Sequence, residues 1–224
     1  MKHIVLYSHG FGVDKTDRGL FTVIAEAIPE AEHIMFEYDA KDKDDNTIVE
    51  TFSNRKSKLI AKYEELRRQN PDAIIDLICH SQGCLVAALA KLKNIRKVIM
   101  LTPPIYHEDG DEKREKYLSK PTVKELPDKT LAVRRRDGST TLIKQNYWND
   151  FGVVTNSERL YNTLSEVTEL IAIRATEDEI LQNNSYDDFD KSIRTMDVEG
   201  NHSFDNEARP RIAKVVREII LAGM

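Results

Sequence analysis

The sequence predicts an α/β protein with a six-stranded, mostly parallel sheet flanked by helices. Three features predict it. Short apolar runs suited to buried strands alternate with longer stretches whose apolar residues recur at helical spacing. A polar segment interrupts this alternation once, from about residue 105 to 156, and the alternation then resumes. The residues with the most reactive chemistry fall just after strands, on the sheet edge where open parallel sheets bind ligands.

Ile4–Tyr7 reads as a buried strand, followed by Ser8-His9-Gly10-Phe11-Gly12, a turn with two glycines. Leu20 to Ile28 reads as the first helix, stopped by Pro29. Glu32 to Asp39 alternates in part and is expected to be the second strand, with Ala40 to Asn46 a solvated loop. From Thr47 to Gln69, Ile48, Phe52, Leu59, Ile60, Tyr63 and Leu66 recur at roughly helical spacing and predict one long helix. Ile74–Ile78 is the third strand, and the helix formers Leu85, Ala87, Ala88 and Leu89 follow it. Arg96–Thr102 is the fourth, closed by Pro103-Pro104.

In the polar segment, Leu131 to Arg136 and Ser139 to Gln145 flank Asp137-Gly138, a two-residue hairpin signal. Arg134 to Arg136 read as solvated, although strand alternation can turn one of them toward an anionic substrate. Ser157 to Leu164 is an expected helix, Glu169–Arg174 the fifth strand, with a short helix after Glu179. Ser192–Asp197 is the sixth strand, and Asn206 to Leu221 the final helix.

A chain of 224 residues fits one domain, with the polar segment as an insertion inside it. Its 40% hydrophobic and 32% charged residues suit a globular protein with a modest core. A net charge of -5 argues against a general nucleic-acid binder. No apolar run approaches the roughly 18 residues of a membrane span. The N-terminus runs directly into a strand without an apolar leader, so a cytoplasmic location is expected. Cys79 and Cys84, five apart on a strand–helix turn, are poor disulfide partners and read as small packing residues.

Between the third strand and its helix stands Cys79-His80-Ser81-Gln82-Gly83. So sharp a turn needs small residues two before and two after the serine, and Cys79 and Gly83 are small. The serine is pushed into a strained, exposed position at a helix N-terminus, where backbone N–H groups favour an oxyanion. This makes Ser81 a candidate nucleophile. The plain alternative is a strand–helix junction with a capping serine.

A serine hydroxyl is a weak nucleophile at neutral pH. It needs an imidazole to take its proton and a carboxylate to orient that imidazole. Ala175 to Ile180 follows the fifth strand and holds three acids, Glu177, Asp178 and Glu179, of which Asp178 is preferred. Val198 to Phe204 follows the sixth and holds His202 in a glycine-containing loop. The alternatives are a surface charge or helix cap for the acid and a solvated loop residue for the histidine. The order Ser, acid, His is the one a nucleophile elbow requires. The backbone N–H groups of Gln82 and Phe11 are the expected oxyanion donors, with Gly10 allowing close approach.

Taken together, His9-Gly10-Phe11, His80-Ser81-Gln82-Gly83, Asp178 and Gly200-Asn201-His202 resemble the α/β-hydrolase superfamily along nearly the whole chain. The likeness is to a compact member that starts at the strand before the oxyanion loop, with residues 105 to 156 where the superfamily places its cap. The hairpin and the stretch Tyr147 to Asp150 resemble the caps of cinnamoyl/feruloyl-type esterases and monoacylglycerol-lipase-like relatives. That resemblance implies a pocket between cap and sheet and a small-molecule ester as substrate. Tyr147, Trp148 and Phe151 are candidate lining residues or, alternatively, anchors of the cap to the core. A carboxylesterase for small or medium acyl or aryl esters is expected, needing no cofactor or metal. A thioesterase, a lipase, or a non-catalytic binding protein of the same fold are the alternatives.

Overall fold

The computed structural model describes residues 1–135, 137–181 and 185–223. Its main sheet has six strands: β1 (His3–Ser8), β2 (Glu32–Ile34), β5 (Ile74–His80), β6 (Lys97–Leu101), β10 (Glu169–Ala175) and β11 (Arg194–Val198). They lie in the order β11-β10-β6-β5-β1-β2, and every neighbouring pair is parallel. Strand order reverses between β1 and β5, so the crevice past their carboxyl ends is the expected ligand site.

Alternation along each strand divides the core between the two faces. Ile4 and Leu6 of β1, Leu77 of β5, Val98 of β6 and Leu170 of β10 turn to one face. It is covered by α2 (Phe52–Gln69), α3 (Gln82–Ala90) and α6 (Ser157–Ser165). Val5, Tyr7, Ile99 and Ile171 turn to the other, covered by α1 (Leu20–Ala27) and α7 (Ala208–Leu221). Both faces being buried explains why these strands read as near-continuous apolar runs. In α7, Ile212, Val216, Ile219 and Ile220 form the apolar stripe that packs there.

Several expectations need correction. The expected strand Glu32–Asp39 is hydrogen-bonded only over Glu32–Ile34. The loop at residues 40 to 46 holds β3 (Ala40–Lys41), which pairs antiparallel with β4 (Thr47–Ile48). Thr47 and Ile48 are therefore strand, and α2 begins at Phe52 behind Thr51, whose side chain accepts the Asn54 N–H at 3.2 Å. These two-residue strands exist only because β4 pairs with the insertion, a non-local contact that local periodicity does not carry.

The insertion is more ordered than its polar sequence implies. It contains α4 (Gly110–Leu118), β7 (Val123–Glu125), the hairpin β8 (Leu131–Arg134) and β9 (Thr140–Ile143), and α5 (Gln145–Asp150). With β3 and β4 it forms a second sheet, β3-β4-β9-β8-β7. Helix α4 is mostly solvated, so it lacks an apolar stripe. Its start is a capping box between Asp109 and Glu112. The helix expected after Glu179 is absent over residues 179–181, which form a bend, and residues 182–184 lie outside the described residues.

Candidate active site

Strand β5 runs straight into α3 through Ser81, whose φ of 50° and ψ of -126° are strained for a residue with a side chain. Such a conformation costs on the order of 1–3 kcal/mol and persists only where the surroundings fix it. Here they do. The Ser81 N–H donates to the Leu101 carbonyl at 2.9 Å. Helix α3 lies so close to β1 that a Cβ on Gly83 would overlap the Ser8 carbonyl. The Ser8 hydroxyl donates to the Gly83 carbonyl at 2.9 Å, tying the two elements together.

The structure brings Ser81, His202 and Asp178 into one hydrogen-bonded chain. Ser81 Oγ lies 3.0 Å from His202 Nε2, and His202 Nδ1 lies 2.8 Å from Asp178 Oδ2. The other Asp178 oxygen accepts the N–H groups of Ile180 and Leu181 at 2.9 and 2.8 Å. Burial alone would raise the pKa of Asp178. The bond to His202, its charge and these two N–H groups outweigh burial and hold the carboxyl below its usual range. Of the other two acids, Glu177 is exposed, and Glu179 accepts the backbone N–H of His202 at 3.1 Å. Only Asp178 reaches the imidazole among the three.

The loop after β1 lies against the serine: a Cβ on Gly10 would sit 3.3 Å from Ser81 Cβ. The Gly10 carbonyl accepts from His9 Nδ1 at 3.0 Å and from the fully buried Arg55 at 3.4 Å. In a trans peptide the next N–H points the opposite way, so anchoring this carbonyl orients the Phe11 N–H. No described residue accepts it. Gln82, the first residue of α3, likewise has an N–H without an intrahelical acceptor. Arg55 is itself held by Asp39 through two hydrogen bonds, at 3.1 and 2.6 Å. His9 Nε2 accepts the Tyr38 N–H at 3.1 Å, so with Nδ1 donating its ring is neutral, and burial followed by the Arg55 charge lowers its pKa.

Sequence reasoning missed a second buried histidine–aspartate pair. His80 Nδ1 lies 2.9 Å from Asp17 Oδ2, and His80 Nε2 lies 2.9 Å from the His202 carbonyl. Both nitrogens face oxygens that only accept, so His80 is an imidazolium. Burial opposes that charge, but the Asp17 charge and hydrogen bond prevail and raise its pKa, while the pairing lowers that of Asp17. Asp17 also accepts the Gly10 N–H at 2.7 Å. One pair thus joins the Ser81 turn, the loop after β1 and the His202 loop. Its signal was the His before the serine; Asp17 lies in a polar turn with no local mark of its partner.

The three cap aromatics are all buried, and Tyr147 comes nearest the site. Its hydroxyl donates to Gln82 Oε1 at 3.0 Å, and its ring centroid lies 5.6 Å from that of Phe11. Trp148 packs edge-on to Tyr117 within the cap, whereas Phe151 packs against Tyr106 and against Phe52 of α2 and so joins cap to core. Of the hairpin arginines, Arg134 is exposed, Arg135 reaches the Phe11 ring, and Arg136 lies outside the described residues. Among the described residues no cluster of side chains suits a metal ion, and no helix is long and apolar enough to cross a membrane.

The geometry and topology together define the α/β-hydrolase fold, and solved structures agree. Est1E from Butyrivibrio proteoclasticus, solved with ferulic acid bound, superposes with a TM-score of 0.70 at 17% identity, over 98% of this chain and 88% of that one. The esterase Pf2001 from Pyrococcus furiosus gives 0.60 at 15% identity, over 96% and 81% of the two chains. A hydrolase of the alpha/beta superfamily from Xanthomonas campestris gives 0.55 at 17% identity over the full length of both. No family model matches the sequence, and no curated protein matches it. At these identities the likeness establishes the fold.

Proposed function

We propose that the chain is a serine hydrolase of carboxylic esters. The observation that carries this reading is the unbroken chain from Asp178 through His202 to Ser81, ending on a strained serine at a helix N-terminus. Ser81 Oγ attacks the ester carbonyl while His202 Nε2 takes its proton. Asp178 holds the imidazole in the required tautomer and stabilises its cation. The N–H groups of Phe11 and Gln82 bind the oxyanion of the tetrahedral intermediate. The protonated His202 then gives its proton to the departing alcohol, leaving an acyl-Ser81. Water, deprotonated by the same imidazole, releases the acid. No cofactor enters these steps.

The aromatic surroundings of the serine support an ester with a small acyl or aryl group. Tyr147, Tyr106 and Phe11 put aromatic surface beside the elbow, which suits small acyl or aryl groups, and the ferulic acid bound by Est1E supports the aryl ester reading. The test is hydrolysis of p-nitrophenyl esters of graded chain length, and of methyl ferulate, by wild type and Ser81→Ala. The expected result is turnover by wild type that falls by roughly 10⁶ in kcat in Ser81→Ala. Turnover that survives in Ser81→Ala excludes this mechanism.

A further inference from the structure

The guanidinium of Arg135 lies over the Phe11 ring, 5.0 Å from its centroid, beside the residue whose N–H is the proposed oxyanion donor. Its Nε donates to the Thr141 hydroxyl at 2.8 Å, and one terminal nitrogen reaches the Phe11 carbonyl at 3.4 Å. Both acceptors are neutral. Among the described residues no carboxylate forms an ion pair with Arg135. The acid that acts on it electrostatically, Asp137, has one oxygen engaged by the Ser139 N–H and hydroxyl at 2.9 and 2.6 Å.

A second cation stands nearby. Lys120 Nζ lies 4.4 Å from the centroid of Tyr117, whose ring is 6.1 Å from that of Phe11. Partial burial, then the charges of Lys113 and Arg135, depress its pKa, and no described acid pairs with it. Lys113 differs, being bonded to Glu108.

Two cations held over aromatic rings with no ion-paired carboxylate among the described residues repel each other, and the Asp137 charge acts on Arg135 alongside that of a third cation, Arg18. Cation–π contacts worth about 0.5–2 kcal/mol each offset only part of the cost of partial desolvation. The arrangement is one that an anion would complete. A carboxylate matches the terminal edge of an arginine, which can donate two parallel N–H groups.

We propose that Arg135, with Lys120 beside it, forms a carboxylate subsite of the ester pocket, and that the substrates are esters carrying a free carboxylate, such as half-esters of dicarboxylic acids or aryl esters with a ring carboxylate. This rests on the ester-hydrolase reading. Arg135 sets specificity and takes no part in bond making.

The experiment compares matched esters differing in one charge: mono-p-nitrophenyl adipate against p-nitrophenyl hexanoate, and 4-acetoxybenzoate against its methyl ester. Wild type should favour a charged member by about tenfold or more in kcat/KM, and Arg135→Gln should bring that ratio near unity through KM. Arg135→Lys, which keeps the charge but loses the planar fork, and Lys120→Gln, which leaves Arg135 alone, should each lower it by about threefold or more and carry the test if Arg135→Gln does not fold. A wild-type ratio of one or below in both pairs, or a ratio unchanged in the variants, overturns the subsite while leaving the hydrolase reading intact. No turnover of any of the four esters, with Ser81 inert to a fluorophosphonate, overturns both. If Ser81 is labelled but nothing turns over, protection from labelling by adipate decides. Protection that weakens in Lys120→Gln supports the subsite, and no protection overturns it.

Discussion

Ser81, at φ 50°, and the imidazolium of His80 beside it show how single residues are fixed by neighbours distant in sequence. His80 is buried, and its pKa is raised above the ordinary value of about 6.5. A group whose pKa rises on folding contributes stability that is whole below its unfolded value and is lost as pH climbs through the folded one. Asp17 has the opposite sign: its pKa is lowered, so its contribution is present above the ordinary carboxylate range and lost in acid. The stability gap between wild type and His80→Gln should therefore be constant just below about pH 6.5 and narrow as pH rises beyond it. Urea unfolding from pH 5 to 9 reads this directly. A gap that stays flat or widens would mean His80 is neutral. His80 stood in plain view before the serine, but nothing in residues 14 to 18 signals that Asp17 meets it, because the pairing spans 63 positions of chain.

At the scale of elements, the close crossing of α3 over β1 depends on Gly83 lacking a side chain. Gly83→Ala should push α3 away from the Ser8 carbonyl, costing about 1–3 kcal/mol of stability and misplacing the Gln82 N–H. The expected outcome is a lower unfolding midpoint with a fall in kcat larger than any rise in KM. An unaltered kcat in a folded variant would show that the crossing does not position the oxyanion donor. The buried strands were legible because apolar runs such as Ile4–Tyr7 and Ile74–Ile78 are imposed by burial on both faces. The small strands β3 and β4 were not, since Ala40–Lys41 and Thr47–Ile48 become strand only by pairing with each other and with the insertion. Helix α4 was missed for a different reason. Its apolar content is too low for periodicity to show, and Asp109 with Glu112, three residues on, was the available sign.

Across the whole molecule, Arg55 links three parts: helix α2, the Asp39 segment and the loop after β1 through the Gly10 carbonyl. Breaking a buried ion pair on one side leaves the other charge unpaired. Arg55→Met should destabilise the protein by roughly 3–5 kcal/mol, and adding Asp39→Leu should recover part of that loss in chemical denaturation. If the double variant is no more stable than the single one, Asp39 does not bear the penalty. The three partners of the proposed reaction were legible because each follows a strand of one parallel sheet, so topology gathers them at one edge. Among Glu177, Asp178 and Glu179 the sequence supported only a preference for Asp178, the acid that meets His202, because the choice turns on which carboxyl the tight bend after β10 aims at the imidazole. That one of the arginines at 134 to 136 could turn inward was legible from strand alternation; which one was not, because Arg135 meets the loop after β1 through contacts between residues 124 positions apart.

Intact mass spectrometry after treatment with a fluorophosphonate reads whether Ser81 is an activated nucleophile. Wild type should gain a single adduct, mapped to Ser81, while Ser81→Ala gains none and His202→Ala reacts far more slowly. An adduct that persists in Ser81→Ala, or a wild type that gains none, would contradict it.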